Sequence, residues 1–133
     1  MILVDSSVWI DYFRGRATSQ TGMLEGLLDS QELGIGDLNF IEVLQGCKIE
    51  KEFNEVRRLL GRLELVVLGG EDVVVPAAKN YLKLRRLGCT VRGTIDVALA
   101  TRCIVDGHTL LHSDRDFDAF EKHLGLKCVF SDA

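Results

Sequence analysis

The sequence predicts an α/β fold in which a central parallel sheet is covered by helices, a three-layer arrangement contained in one domain over residues 1–133. Three observations predict it. Short apolar runs with strand character, the first at Ile2–Val4, alternate with segments whose apolar residues recur at helical spacing. The stretches between these runs are long enough for parallel crossovers rather than hairpins. A chain of 133 residues that is 47% hydrophobic can bury one core, and no repeat or Pro-, Ser- or Gln-rich tract divides it.

The strand Ile2–Val4 ends at Asp5-Ser6-Ser7, whose carboxylate and hydroxyls suit the cap of a helix over Val8–Arg14. Met23, Leu24, Leu27 and Leu28 mark an amphipathic helix over Thr21–Asp29, followed by a strand over Glu32–Gly36. Asp37 is expected to cap a third helix, with Leu38, Ile41 and Leu44 on one side and Glu42 at the margin of that stripe. After Gly46 a helix carries Phe53, Val56, Leu59, Leu60 and Leu63 in register, then come a strand over Leu65–Leu68 and the turn Gly69-Gly70. Asp72–Leu87 reads as a helix that Pro76 should distort or delay, and Gly88 ends it. Thr94 is expected to cap the next helix, which holds Asp96 in its first turn and closes at Gly107. A strand His108–His112, a short helix Phe117–His123 and a last strand Leu126–Phe130 complete the order.

Composition narrows the function classes. Cys47, Cys89, Cys103 and Cys128 are scattered, without the paired spacing of a zinc or redox site, and read as reduced thiols. The start Met1-Ile2-Leu3-Val4-Asp5 lacks the basic, long apolar pattern of a secretory signal, and no apolar run nears the roughly 18 residues of a membrane span. A cytoplasmic protein with no membrane partner is expected. The net charge of -4 speaks against a nucleic-acid partner at first sight. Net charge does not locate charge, however, and an acidic cluster filled by cations would leave other surface free for phosphates.

Asp5 and Asp114 each follow an apolar strand, while Glu42 and Asp96 stand early in helices that begin at the same expected edge of the sheet. Ligands gather at the carboxyl ends of parallel strands. Carboxylates brought there repel: a pair about 4 Å apart costs about 1 kcal/mol in water and about 4 at an effective dielectric near 20. Protonation or divalent cations must offset that cost, and an all-oxygen donor set suits Mg or Mn rather than zinc or copper.

These residues carry a resemblance. Val4-Asp5-Ser6-Ser7-Val8-Trp9-Ile10, Asn39-Phe40-Ile41-Glu42-Val43, Thr94-Ile95-Asp96-Val97-Ala98-Leu99-Ala100 and Leu110-Leu111-His112-Ser113-Asp114-Arg115-Asp116-Phe117 occur in the order and spacing of the PIN domain. The chain resembles that family, specifically its VapC branch, over nearly its whole length.

The resemblance implies a PIN-like α/β fold and a ribonuclease that acts as the toxin of a type II toxin–antitoxin pair. It implies catalytic and metal-binding roles for Asp5, Glu42, Asp96 and Asp114, with Asp116 as a further ligand. Ser6 matches a hydroxyl position beside the metal site, and Ser113 a second one that orients Asp114. The implied cofactor is Mg2+, with Mn2+ as its alternative. The implied partners are an RNA substrate, a cognate VapB-like antitoxin and a second copy of the chain. Cleavage would leave a 5′-phosphate and a 3′-hydroxyl.

Arg14, Arg85, Arg86, Arg92 and Arg115 are candidates for gripping the RNA backbone, although each taken singly reads equally well as solvated helix surface. His108, His112 and His123 lie in one C-terminal stretch without a motif and are not assigned chemistry. Trp9 and Tyr81 read as core or dimer contacts before base-stacking platforms, and Asp11 as helix surface. Two alternatives share the acid set: a PIN nuclease that processes RNA outside a toxin–antitoxin pair, and a non-catalytic Mg-binding signalling or interaction domain. A receiver domain would need paired acids at the first strand and a lysine after the last, whereas Asp5 has no acidic neighbour and Lys127 precedes rather than follows the final apolar strand.

Overall fold

The structure, a computed structural model, describes residues 1–30 and 32–130. Five parallel strands form one sheet: β1 Ile2–Val4, β2 Leu33–Gly36, β3 Glu64–Val66, β4 Thr109–Leu111 and β5 Lys127–Cys128, in the order β3-β2-β1-β4-β5. Seven α-helices connect them: α1 Ser6–Phe13, α2 Ser19–Leu27, α3 Asp37–Gln45, α4 Glu50–Leu60, α5 Glu71–Arg86, α6 Thr94–Asp106 and α7 Asp118–Leu124. A 3-10 turn, Arg115–Phe117, leads into α7.

β1 lies at the centre, pairing through Ile2 with Leu33 on one side and through Leu3 with Leu110 on the other. Successive side chains of a strand face opposite sides. Accordingly Leu3 and Leu110 join the core under α5, α6 and α7, while Val4 and Leu111 join the core under α1 to α4. The burial of both faces explains why the strands read as continuous apolar runs without alternation. Trp9, Phe117 and Phe120 are the largest fully buried side chains. Trp9 stacks on Phe13 with ring centroids 5.9 Å apart, so it is a core residue.

Several elements differ from the sequence reading. Asp37 does not cap α3: Gly36 holds that position, and the Asp37 carboxylate instead accepts from Leu38 N at 2.8 Å and Leu68 N at 3.1 Å, tying the segment after β3 to α3. Gly93 rather than Thr94 occupies the N-cap of α6, with no side-chain cap bond. Pro76 neither delays nor ends α5, which runs unbroken from Glu71. As the sixth residue of the helix it forfeits only the bond to the carbonyl of Asp72, and packing of the other residues outweighs that loss. β1 keeps its expected bounds, β2, β4 and β5 are shorter than their expected runs, and β3 starts one residue early, at Glu64, and ends at Val66. Gly107 ends α6 as expected, at φ 74°, a left-handed turn that lacks steric cost only in glycine.

The four cysteines are free thiols, and burial pushes that of Cys103 up to about 12, an inert core group. No helix among the described residues is long and apolar enough to cross a membrane.

Candidate metal centre

Asp5 sits directly after β1 and caps α1, its Oδ2 accepting from Ser7 N at 3.1 Å and from Ser7 Oγ at 2.6 Å. Its own N–H donates to Leu111 O at 2.9 Å, so the ladder between β1 and β4 fixes where the carboxylate begins. Asp114 follows β4 and caps the 3-10 turn through a bond from Asp116 N at 2.9 Å. The same local need, an acceptor for free N–H groups where a strand becomes a helix, therefore places both acids at one edge of the sheet.

Asp96 stands in the first turn of α6, where the helix dipole favours a negative charge. Asp116 accepts from Arg92 N at 3.3 Å, which ties the 3-10 turn to the loop before α6. Carboxylate oxygens of Asp96, Asp114 and Asp116 lie within 4.8 Å of one another. Desolvation, followed by the charges of Asp5, Asp114, Glu42 and Asp116, raises the Asp96 carboxyl to about 7. Burial is also the main cause that raises Asp5, opposed by its bonds from Ser7.

Glu42, on the second turn of α3, enters from the other side. Ser6 Oγ donates to its Oε1 at 2.8 Å, and Asn39 Nδ2 reaches the same oxygen at 3.4 Å. The other four acids of the sequence reading thus all act on Asp96, and the compact trio within 4.8 Å contains Asp116 in place of Asp5 or Glu42. Ser113 N lies 3.4 Å from Ser7 Oγ, and its side chain is exposed on the basin wall.

The basin formed by these groups is open and polar, lined by Ser7, Arg92, Gly93, Asp96, Ser113, Asp114, Arg115 and Asp116. Of the five arginines, Arg92 and Arg115 stand on it. Arg14 lines a separate small cleft with Cys47 and Glu52, and Arg85 and Arg86 are exposed on the last turn of α5, outside the lining. A second cavity of about 470 Å³, between α5 and the start of α6, is lined mainly by apolar side chains such as Val73, Ala77 and Val97, with Tyr81, Arg92 and Thr94 as its polar members. Arg92 and Gly93 line both cavities.

His112 is the histidine nearest the basin: its Nδ1 accepts from Asp114 N at 3.2 Å and its ring packs on Phe117. His108 lies at the opposite, amino end of β4, within 3.6 Å of Asp106. Ser7 and Asn39 were not among the expected site residues. Ser7 is the residue of the Asp5-Ser6-Ser7 run that reaches the expected helix-capping carboxylate, and Asn39 lies three positions before Glu42, one turn away on the same helix.

A carboxylate cluster in which burial and neighbouring acids raise one member to about 7 fits a hard divalent cation.

Comparisons with known proteins agree with this architecture. The family model for the PIN domain matches residues 2–123. Ribonuclease VapC11 of Mycobacterium tuberculosis is 30% identical over 131 residues, covering 97% of this chain and 98% of that protein. Ribonuclease VapC1 of Methanocaldococcus jannaschii is 26% identical over 126 residues, or 95% and 85% of the two chains. Among solved structures, DNA-bound VapBC from Salmonella typhimurium superposes with a TM-score of 0.76 at 17% identity, covering 96% of this chain and 95% of that one. VapBC2 from Rickettsia felis, bound to a promoter DNA fragment, gives 0.74 at 18% identity over 96% and 97%. With the family model spanning nearly the whole chain and curated relatives matched end to end, the protein belongs to the PIN domain family, in its VapC branch.

Proposed function

We propose that the chain is a metal-dependent endoribonuclease, the toxin of a VapBC-type toxin–antitoxin pair, and that the carboxylate basin is its active site. The observation that carries this reading is the convergence of Asp96, Asp114 and Asp116 within 4.8 Å at the carboxyl ends of β1 and β4, with Asp5 and Glu42 close enough to raise Asp96 further. The ribonuclease names of relatives matched over nearly full length supply the substrate class.

Asp5, Glu42, Asp96, Asp114 and Asp116 would hold Mg2+ or Mn2+, with Asp96, Asp114 and Asp116 as the most compact part of the set. When bound, the cation supplies activation of water and stabilisation of charge on the phosphate. The protein's own groups set the geometry. Ser7 fixes Oδ2 of Asp5, Ser6 and Asn39 fix Oε1 of Glu42, and the Asp116 N–H fixes Oδ1 of Asp114. Rigid carboxylates lose little on binding, which is how preorganisation lowers a barrier. Arg92 and Arg115 border the basin and would take the flanking phosphates. In the hydrolysis a water oxygen bonds to phosphorus as the P–O3′ bond breaks, leaving a 5′-phosphate and a 3′-hydroxyl.

The acidic net charge is compatible with this role, because the five basin acids would be balanced by bound cations. Structural neighbours described as VapBC and toxin–antitoxin complexes support a VapB-like protein as partner. Sequencing of RNA 5′ ends after brief induction of the chain and of Asp96→Asn tests the reading. New 5′-phosphate ends with the parent and none with the variant are expected; the same ends with both would overturn it. Co-expression with the small protein encoded beside it should yield a stable complex, and its absence would favour a free-standing nuclease.

A further inference from the structure

Glu42 is held by a fully buried side chain outside the acid pattern. Asn39, one helical turn earlier on α3, is 0% exposed. Its Nδ2 donates to Ser6 Oγ at 2.9 Å and approaches Glu42 Oε1 at 3.4 Å, while Ser6 Oγ donates to that same Oε1 at 2.8 Å. The direction of this relay follows from the donors present. A carboxylate only accepts, and a hydroxyl has one proton to give. Ser6 gives its proton to Glu42 at 2.8 Å in preference to Asn39 O at 3.5 Å, and the Asn39 amide is the donor to its lone pairs. Reversing the amide would set its oxygen 3.4 Å from a carboxylate oxygen and leave the Ser6 proton shared between two acceptors.

The surroundings are shaped for this amide. A Cβ at position 36 would lie 2.5 Å from Asn39 Oδ1, so glycine there makes the room. Asn39 Oδ1 is buried with no hydrogen-bond partner among the described residues. A leucine has the same branching and would strand no polar atom, so packing alone does not call for asparagine.

We propose that Asn39 is a positioning residue for the nuclease reaction. Through Ser6 it commits Oε1 of Glu42 to the protein and leaves Oε2 for the cation or the attacking water. The inference rests on the metal-site reading above and adds a residue that the acid set does not contain.

Calorimetric titration of the full chain with Mn2+, in parent, Asn39→Leu, Ser6→Ala and the double variant, tests it. Asn39→Leu should weaken Mn2+ binding about tenfold, as losing an outer partner of a metal ligand does. The double variant should bind no more weakly than the weaker single variant, because both act through one oxygen. On RNA, kcat should fall in Asn39→Leu while KM stays within about twofold. Parent-like Mn2+ affinity in Asn39→Leu, or losses that multiply in the double variant, would overturn the proposal. Should Asn39→Leu not fold, Asn39→Ala removes the same donor without adding volume and carries the same four-way comparison. A parent that binds no Mn2+ overturns the metal reading itself, whereas a binding parent with an unaffected Asn39 variant overturns this inference alone.

Discussion

Asp96 faces the charges of four other acids, and its behaviour without metal is therefore diagnostic. In the folded chain it keeps its proton up to about 7, whereas its ordinary value is 3.8. Between those two values the folded state binds more protons than the unfolded one, so stability falls as pH rises through that window. Asp5 is raised as well and contributes in the same direction. In chelator, the parent should lose more melting temperature than Asp96→Asn between about pH 5 and about pH 8. Equal pH slopes in the two proteins would mean that burial and the neighbouring acids do not raise Asp96. The histidines give a second residue-scale prediction. His108 lies at the amino end of β4 and neither it nor His123 lines the basin, so the double alanine variant should keep most cleavage activity. Loss of activity as large as that of Asp96→Asn would bring acid–base cleavage back. Asp5 and Asp114 were legible as acids that follow strands and Asp96 as a first-turn acid, whereas Glu42, on the second turn of α3, was joined to them by the family resemblance. Ser7 and Asn39 were not, because a hydroxyl or amide announces no role until its acceptor is located.

Among the elements, α6 bears both the Asp96 turn and the residue that anchors the helix to the rest of its layer. Arg102 is buried and forks onto Asp72 at 2.7 and 3.0 Å, while its Nε donates to Val67 O at 2.7 Å. It thereby joins the end of β3, the first turn of α5 and the second half of α6. The hydrogen bonds that Arg102 donates to Asp72 are the main cause that raises Arg102, and the Arg102 guanidinium holds the Asp72 carboxyl below its usual range. Arg102→Leu should lower stability by about 2 kcal/mol, the scale of hydrogen bonds to charged groups, read from thermal or denaturant melts. Folded protein should keep its Mn2+ response, because Arg102 lies outside the basin. An unchanged melt would show that the fork adds nothing. Helical periodicity gave the order of elements correctly, yet the caps of α3 and α6 fell on Gly36 and Gly93. Asp37 and Thr94 are good capping types, but position 37 is taken by a tie to Leu68 that links distant segments and cannot be read from local spacing. Pro76 misled for a similar reason: its local cost is real, and the packing that outweighs it is tertiary.

At the scale of the whole molecule, one sheet serves two cores, and the same strands that separate those cores deliver the acids to a single edge. We propose that residues 1–133 fold as one unit. A single cooperative transition with coincident far- and near-ultraviolet signals is expected, shifted upward by Mn2+ in the parent and unshifted in Asp96→Asn. Two separable transitions would contradict the single unit. The parallel order of the sheet was readable from the alternation of apolar runs and helical segments, whereas the compact trio that includes Asp116 depended on the 3-10 turn after β4, which bends that acid back toward Asp96. The most direct test of the central claim is digestion of RNA by the purified chain with Mn2+ and with excess chelator, beside Asp96→Asn. Cleavage by the parent in metal, and none in chelator or by the variant, is expected. Undiminished cleavage in chelator, or parent-like cleavage by Asp96→Asn, would contradict a metal-dependent nuclease built on this basin.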